Sequence, residues 1–130
     1  MSKINTENNA SYNFMAPSIA DDADKKVEVV FPTAEAVTPT ISSNKADAPV
    51  RRQTTIVKLG TLSADTTLNL APEPANLNVG ATVAVNWTSD STARDITVKV
   101  DDDTVATLEG TASTEVTKQL MWDGEGFIAI

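Results

Sequence analysis

The clearest alternation of apolar and polar residues in this chain follows Gly80, where Val83, Val85 and Trp87 occupy every second position. Successive side chains of a β-strand point to opposite faces, so this spacing predicts a strand with one buried face. A polar Ser-Asp-Ser-Thr segment comes next, and residues 96–100 then repeat the alternation. We therefore expect these two strands to pair as a hairpin.

Five further segments have β-branched or apolar centres and are separated by turn residues. These predicted strands are residues 55–59, 66–70, 104–108, 114–122 and 127–130. Strands at intervals of about ten residues, without helical periodicity, are typical of sandwiches and barrels. The pattern predicts an all-β domain over residues 53–130, a small antiparallel β-sandwich or open barrel of about seven strands.

The first 52 residues show a different pattern. Their apolar residues are isolated or grouped in two short clusters, and four prolines interrupt a background of Ala, Ser, Thr, Asn and Asp. Such a composition buries too little apolar surface to offset the conformational entropy of the chain. We predict that residues 1–52 form an extended low-complexity arm that becomes ordered only on a partner.

The apolar clusters of the arm are candidate contacts with that partner. An extended segment can add to the edge of a sheet and place single side chains in pockets. An arginine pair at the junction with the domain would dock on an acidic patch, or would form a solvated linker. The predicted partner-binding residues are Tyr12, Phe14, Met15, Val29, Phe31, Arg51 and Arg52.

The residue types narrow the possible chemistry. The sequence contains no cysteine and no histidine. These residues supply the usual zinc ligands and take part in the Ser-His-Asp and Cys-His forms of nucleophilic catalysis. The carboxylates form no recognisable catalytic pair. We therefore expect a protein that is not an enzyme and that uses no cofactor.

The formal charge of −8 is concentrated in residues 53–130, which hold four basic and eleven acidic residues. A nucleic-acid backbone attracts lysine and arginine, so we expect no nucleic-acid binding by this domain. No apolar run is long enough to span a bilayer, and the N-terminus lacks the apolar core of a secretion signal. We expect no membrane partner and synthesis in the cytoplasm.

Two groups of residues each have two interpretations. Asp101, Asp102 and Asp103 would contribute to a calcium site if other carboxylates completed the shell, or would form a solvated turn. The absence of glycine and of alternating aspartates favours the turn. Trp87 and Trp122 would form a stacking platform for sugar rings, but both are in phase with apolar neighbours, which favours the core.

The predicted domain is small, with three aromatic residues and no disulfide. Below roughly 80 residues a single core seldom supplies more than about 3 to 5 kcal/mol. We therefore expect a homo-oligomer or a domain that docks on a larger assembly.

Three segments carry a resemblance to a known group of proteins. They are Gly80-Ala81-Thr82-Val83 leading to Trp87-Thr88-Ser89, Arg94-Asp95-Ile96-Thr97-Val98, and the ending Leu120-Met121-Trp122-Asp123-Gly124-Glu125-Gly126-Phe127-Ile128-Ala129-Ile130. Because of these three segments, residues 67–130 resemble the small β domains of tailed-bacteriophage virion proteins, notably capsid decoration and head-fibre proteins. The resemblance implies a multimeric, often trimeric, structural part of the virion, assembled in the host cytoplasm.

The leading hypothesis is an auxiliary capsid (decoration) or head-fibre-type protein. Its arm would bind the major capsid protein or another virion protein, and its β domain would be displayed or would multimerise. The alternative is a carbohydrate-binding or adhesin module, which requires an exposed tryptophan beside polar side chains.

Overall fold

The computed structural model describes residues 33–130, which form nine β-strands and one short 3₁₀ turn. The strands are β1 (Ala34–Val37), β2 (Lys45–Val50), β3 (Thr54–Leu62), β4 (Thr66–Pro72), β5 (Thr82–Ser89), β6 (Ile96–Val100), β7 (Asp103–Leu108), β8 (Glu115–Trp122) and β9 (Phe127–Ala129); the 3₁₀ turn is Pro74–Asn76. The all-β prediction is confirmed, and the seven strands predicted after residue 52 correspond to β3 through β9. No helix within these residues is long and apolar enough to cross a membrane.

The strands form two mixed sheets. One sheet has five strands in the order β1-β3-β5-β8-β9, and the other has four in the order β2-β4-β6-β7. Within each sheet the neighbours from β1 to β6 are parallel, whereas β7, β8 and β9 add in antiparallel orientation. Parallel neighbours need a crossover connection. Here each crossover includes a strand of the opposite sheet.

The predicted hairpin of β5 and β6 is wrong, because these strands lie in different sheets. β5 pairs with β3 and β8, and β6 pairs with β4 and β7. The antiparallel pairing expected for the domain is found in three of the seven strand pairs, β5 with β8, β6 with β7 and β8 with β9. Alternation specifies which face of a strand is buried but not which strand lies beside it.

The first two strands come from the segment predicted to be an arm. β1 pairs in parallel with β3, and β2 pairs in parallel with β4. Ala46, Ala48 and Val50 of β2 are buried in the common core. The β domain therefore includes β1, which begins at Ala34, and does not start at Gln53. Alanines give a weak hydrophobic signal, so their alternation in β2 does not by itself predict a strand. The arm prediction for residues 1–32 lies outside the described residues.

One hydrophobic core fills the space between the sheets. Trp87, Leu68, Ile96 and Leu120 are its largest fully buried side chains. Trp122 is 5% exposed, and its ring meets that of Phe127 edge to face at a centroid distance of 5.1 Å. The prediction that both tryptophans belong to the core is confirmed. The exposed aromatic platform required by the carbohydrate-binding alternative is not formed by either of them.

The hairpin between β6 and β7 turns on two aspartates. Asp101 and Asp102 have φ angles of 51° and 69°, and Val100 pairs with Asp103 on either side of them. Positive φ at both central residues is the mark of a type I′ turn, whose twist matches that of the adjoining strands. Aspartate tolerates this backbone better than most residues. The turn interpretation of Asp101 to Asp103 is confirmed.

Candidate functional site

Two surface features of the domain are candidates for a functional site. The first is a strip on the outer face of the five-stranded sheet, and the second is a cavity at one end of the sandwich. Both are formed by strand positions and loops that come together only in the folded domain.

The outer strip consists of two rows of side chains that cross all five strands. Its members point away from the core, because along β3 and β5 they alternate with buried residues: Thr55 and Val57 on β3, and Val83 and Val85 on β5. One row is Ala36, Ile56, Ala84, Gln119 and Ile130, and the other is Ala34, Thr54, Thr82, Met121 and Ile128. None of the ten side chains is charged. At a strand spacing of about 4.8 Å, the strip is roughly 20 Å across.

The outer strip collects the exposed apolar side chains of the domain. Four large apolar side chains are exposed in the described residues, and three of them belong to the strip: Ile56 at 38%, Ile128 at 44% and Ile130 at 64%. The fourth, Val79, lies in the loop before β5. Ala84 and Gln119 lie between Ile56 and Ile130 in their row, so the three isoleucines share one face of the sheet without touching along that row. Exposed apolar residues collected on one face are a candidate interaction surface.

The outer face of the four-stranded sheet has a different composition. Lys45 and Asp47 of β2 and Lys99 of β6 are charged, and the Asn69 amide nitrogen donates a 3.2 Å hydrogen bond to Asp47. Charges on the same face as the outer strip, such as Lys58, lie further along the strands. The uncharged surface is thus confined to one face of the sandwich.

The end cavity has a volume of about 610 Å³. Three segments surround it: the end of β4 with the 3₁₀ turn, the β6–β7 hairpin and the β8–β9 hairpin. The lining residues are Ala71, Pro72, Pro74, Val100, Asp101, Asp103, Val105, Trp122, Glu125 and Gly126. This volume lies within the range of about 300 to 1,000 Å³ that is typical of ligand pockets.

The described walls of the end cavity are more apolar than polar, and their charged groups are carboxylates. Asp101, Asp103 and Glu125 are the ionisable residues among the described residues of the lining, and none of the lysines and arginines in residues 33–130 belongs to it. These carboxylates do not form a metal-binding cluster: the part of the chain described contains no group of three or more potential ligands that could hold a metal ion.

The β8–β9 hairpin that carries Glu125 is held by its own hydrogen bonds. The main-chain nitrogens of Glu125 and Gly126 donate to the Asp123 carboxylate at 2.9 Å and 2.8 Å. These bonds hold the pKa of Asp123 below its ordinary value, because they favour the ionised carboxylate. The turn therefore holds the main chain of Glu125 in place beside the cavity.

Arg51, one of the predicted partner-binding residues, is engaged within the domain. Its guanidinium donates to the Glu35 carboxylate of β1, with an Nη2–Oε2 distance of 2.7 Å. The bond from Arg51 holds the pKa of Glu35 below its ordinary value. Arg52 donates from Nη1 to the main-chain oxygen of Arg51 at 3.4 Å. A partner that docks on Arg51 would have to compete with Glu35 for its guanidinium. Docking of the arginine pair on a partner stays a prediction.

The other predicted partner-binding residues, Tyr12, Phe14, Met15, Val29 and Phe31, lie outside the described residues.

Sequence reasoning missed both surface features. A signal for the outer strip was present, because Ile56 beside Val57 and Met121 beside Trp122 make these strands apolar on both faces. The end cavity had no such signal, since its residues come from three distant segments.

Comparison of the chain with protein-family models, with curated proteins and with solved structures gave no match.

Proposed function

We propose that this protein is a structural component of a virion, of the capsid decoration or head-fibre type, and that copies of it associate through the outer strip. The observation that carries the association is the grouping of Ile56, Ile128 and Ile130 on one uncharged sheet face. The assignment to a virion rests on the resemblance of residues 67–130 to small β domains of phage virion proteins.

Charge favours a second copy as the occupant of the outer strip. The described residues include seven basic and thirteen acidic residues, so two copies carry a net charge of the same sign and repel each other. The strip has no charged side chain, and two copies can approach there without placing Asp or Glu side chains of the strip opposite each other. Burial of its isoleucines would then be favourable by about 25 cal/mol per Å² of apolar surface.

The size of the strip indicates weak association for a single contact. A standard interface covers about 800 Å² on each partner, and the strip is smaller than that. Weak pairwise contacts become stable when each subunit makes several of them. Such an arrangement fits a part of a particle that is present in many copies, including the trimers typical of the resembled proteins.

Sedimentation velocity of the full chain over a range of concentrations tests the association. We expect the mean mass of the wild type to increase with concentration, and the variant Ile56→Lys with Ile128→Lys to remain monomeric. Thr107→Lys, on an exposed position of the other sheet, is the matched control and should behave as the wild type. A wild-type protein that is monomeric at the highest concentration would exclude the outer strip as a self-association surface.

The virion assignment has a separate test. Particles from the native source are separated from soluble protein on a density gradient, and the chain is quantified in each fraction by mass spectrometry. We expect it to sediment with intact particles at a constant ratio to their major shell protein. Its recovery only in the soluble fractions would exclude a virion role.

A further inference from the structure

We propose that the end cavity binds the side chain of a lysine or arginine residue presented by a protein partner. This inference does not depend on the proposed function. It concerns a different surface from the outer strip and rests on the charge and shape of the cavity.

The charge of the lining selects a cation. Asp101 and Asp103 approach the cavity from the β6–β7 hairpin, and Glu125 approaches it from the β8–β9 hairpin. No basic side chain within residues 33–130 lines the cavity and neutralises them, so these carboxylates repel an anionic ligand and attract a cation. Hydrogen bonds between an ammonium or guanidinium group and a carboxylate are about twice as strong as neutral ones.

The apolar part of the lining selects a cation with a hydrocarbon stem. Pro72, Pro74, Val100 and Val105 provide apolar wall, and Trp122 lies among them. Lysine and arginine side chains bury their methylene groups on apolar surface while the charged end remains beside polar groups. A bare metal ion would leave these walls unused, whereas a lysine or arginine side chain contacts both the walls and the carboxylates.

The anchoring of the lining segments favours binding without a large rearrangement. The β6–β7 hairpin ends in a two-residue turn, and the β8–β9 hairpin is held by the bonds to Asp123. A site that is already ordered loses little conformational entropy on binding, which raises the affinity for a given set of contacts.

Binding to the full chain is measured with short acetylated peptides in which one residue lies between glycines. That residue is lysine, arginine, norleucine or Nε-acetyl-lysine. We expect the lysine and arginine peptides to shift the amide resonances of Val105, Glu125 and Gly126 in two-dimensional NMR spectra. The norleucine and acetyl-lysine peptides should bind at least about tenfold more weakly, because they lack the charge.

Neighbouring aspartates of one turn provide the matched variants. Asp101→Asn combined with Asp103→Asn removes two cavity carboxylates, and asparagine suits the positive φ of position 101. This variant should bind the lysine peptide at least about tenfold more weakly. Asp102→Asn removes one charge from the same turn at a residue that does not line the cavity, and should change the affinity less than about twofold.

Three outcomes would overturn the proposal. Equal weakening by Asp102→Asn would mean that only the overall charge of the hairpin attracts the peptide. Equal binding of the norleucine peptide would identify an apolar groove without selectivity for a cation. Absence of any shift at the lining residues at millimolar lysine peptide would show that the cavity is not a site for this side chain.

Discussion

The indole nitrogen of Trp87 donates a 2.8 Å hydrogen bond to the main-chain oxygen of Arg94. This bond ties the largest buried side chain of the core to the connection that crosses from β5 to β6. The Ser89 hydroxyl accepts a 2.9 Å hydrogen bond from the main-chain nitrogen of Arg94, so the connection is held at both of that residue's peptide groups. These two bonds hold the connection between β5 and β6 in place.

Gly110 packs against this crossing, and we predict that Gly110→Ala destabilises the protein. A β-carbon there would overlap the Arg94 main-chain oxygen and lie 2.8 Å from the Ser89 hydroxyl. The crossing would have to shift, at a cost of about 1 to 3 kcal/mol. Urea denaturation measures the change in the free energy of unfolding. Gly126→Ala, where a β-carbon meets open space, is the control and should leave the stability nearly unchanged.

Thr55→Val should raise the stability by up to about 2 kcal/mol. The Thr55 hydroxyl is fully buried and has no hydrogen-bond partner within residues 33–130, and valine has nearly the same shape without the polar group. Thr66 is also buried, but its hydroxyl donates a 3.1 Å hydrogen bond to the Ala64 main-chain oxygen. Thr66→Val should therefore lower the stability, by about 1 kcal/mol. Thermal or urea unfolding that moves both variants in the same direction would contradict this assignment.

Truncation should reveal where the β domain begins. A protein starting at residue 33 keeps β1 and β2, and we expect it to fold with the circular dichroism of a β protein. Deletion of residues 1–52 removes both strands, including the buried Ala46, Ala48 and Val50. This loss uncovers β3 and β4 and part of the core, so we expect unfolding or aggregation. If the shorter protein were as stable as the longer one, β1 and β2 would contribute nothing to the core.

Acid should destabilise the protein partly through Asp90. The Arg94 guanidinium donates to Asp90 at 2.8 Å and 3.0 Å, and together with the Thr92 main-chain nitrogen it lowers the pKa of this carboxyl. The pKa of Asp90 is therefore lower in the folded state than its unfolded-state value of 3.8. The ion pair stabilises the folded protein fully above the unfolded-state pKa, and this stabilisation is lost as the pH falls through the folded-state pKa. Urea denaturation at pH 7 and pH 3 measures the difference.

Two substitutions isolate the contribution of this ion pair to the pH dependence. Asp90→Asn removes the titrating group, and Arg94→Gln removes its partner. Both variants should lose less stability than the wild type between pH 7 and pH 3. The pKa values of Glu35 and Asp123 are also lowered in the folded state, so the contributions of these two carboxyls to the pH dependence remain in both variants. A wild-type pH dependence in both variants would show that the pair does not contribute.

The sequence by itself determined the strands after residue 52 and the burial of both tryptophans. These are local properties, because alternation along a strand reports which side chains avoid water. The turn at Asp101 and Asp102 was also visible locally. The start of the domain was not, since the alanines of β2 carry little hydrophobic signal and gain their burial from packing against β4.

Only the tertiary structure decided how the strands pair and which residues share a surface. From β1 to β6, strands consecutive in the chain lie in opposite sheets, so sequence neighbours such as β5 and β6 are not neighbours in a sheet. The end cavity combines Pro72, Asp103 and Glu125, and the outer strip combines Ile56 with Ile128. Such sets depend on sheet order and register, and these are set by contacts between residues far apart in the chain.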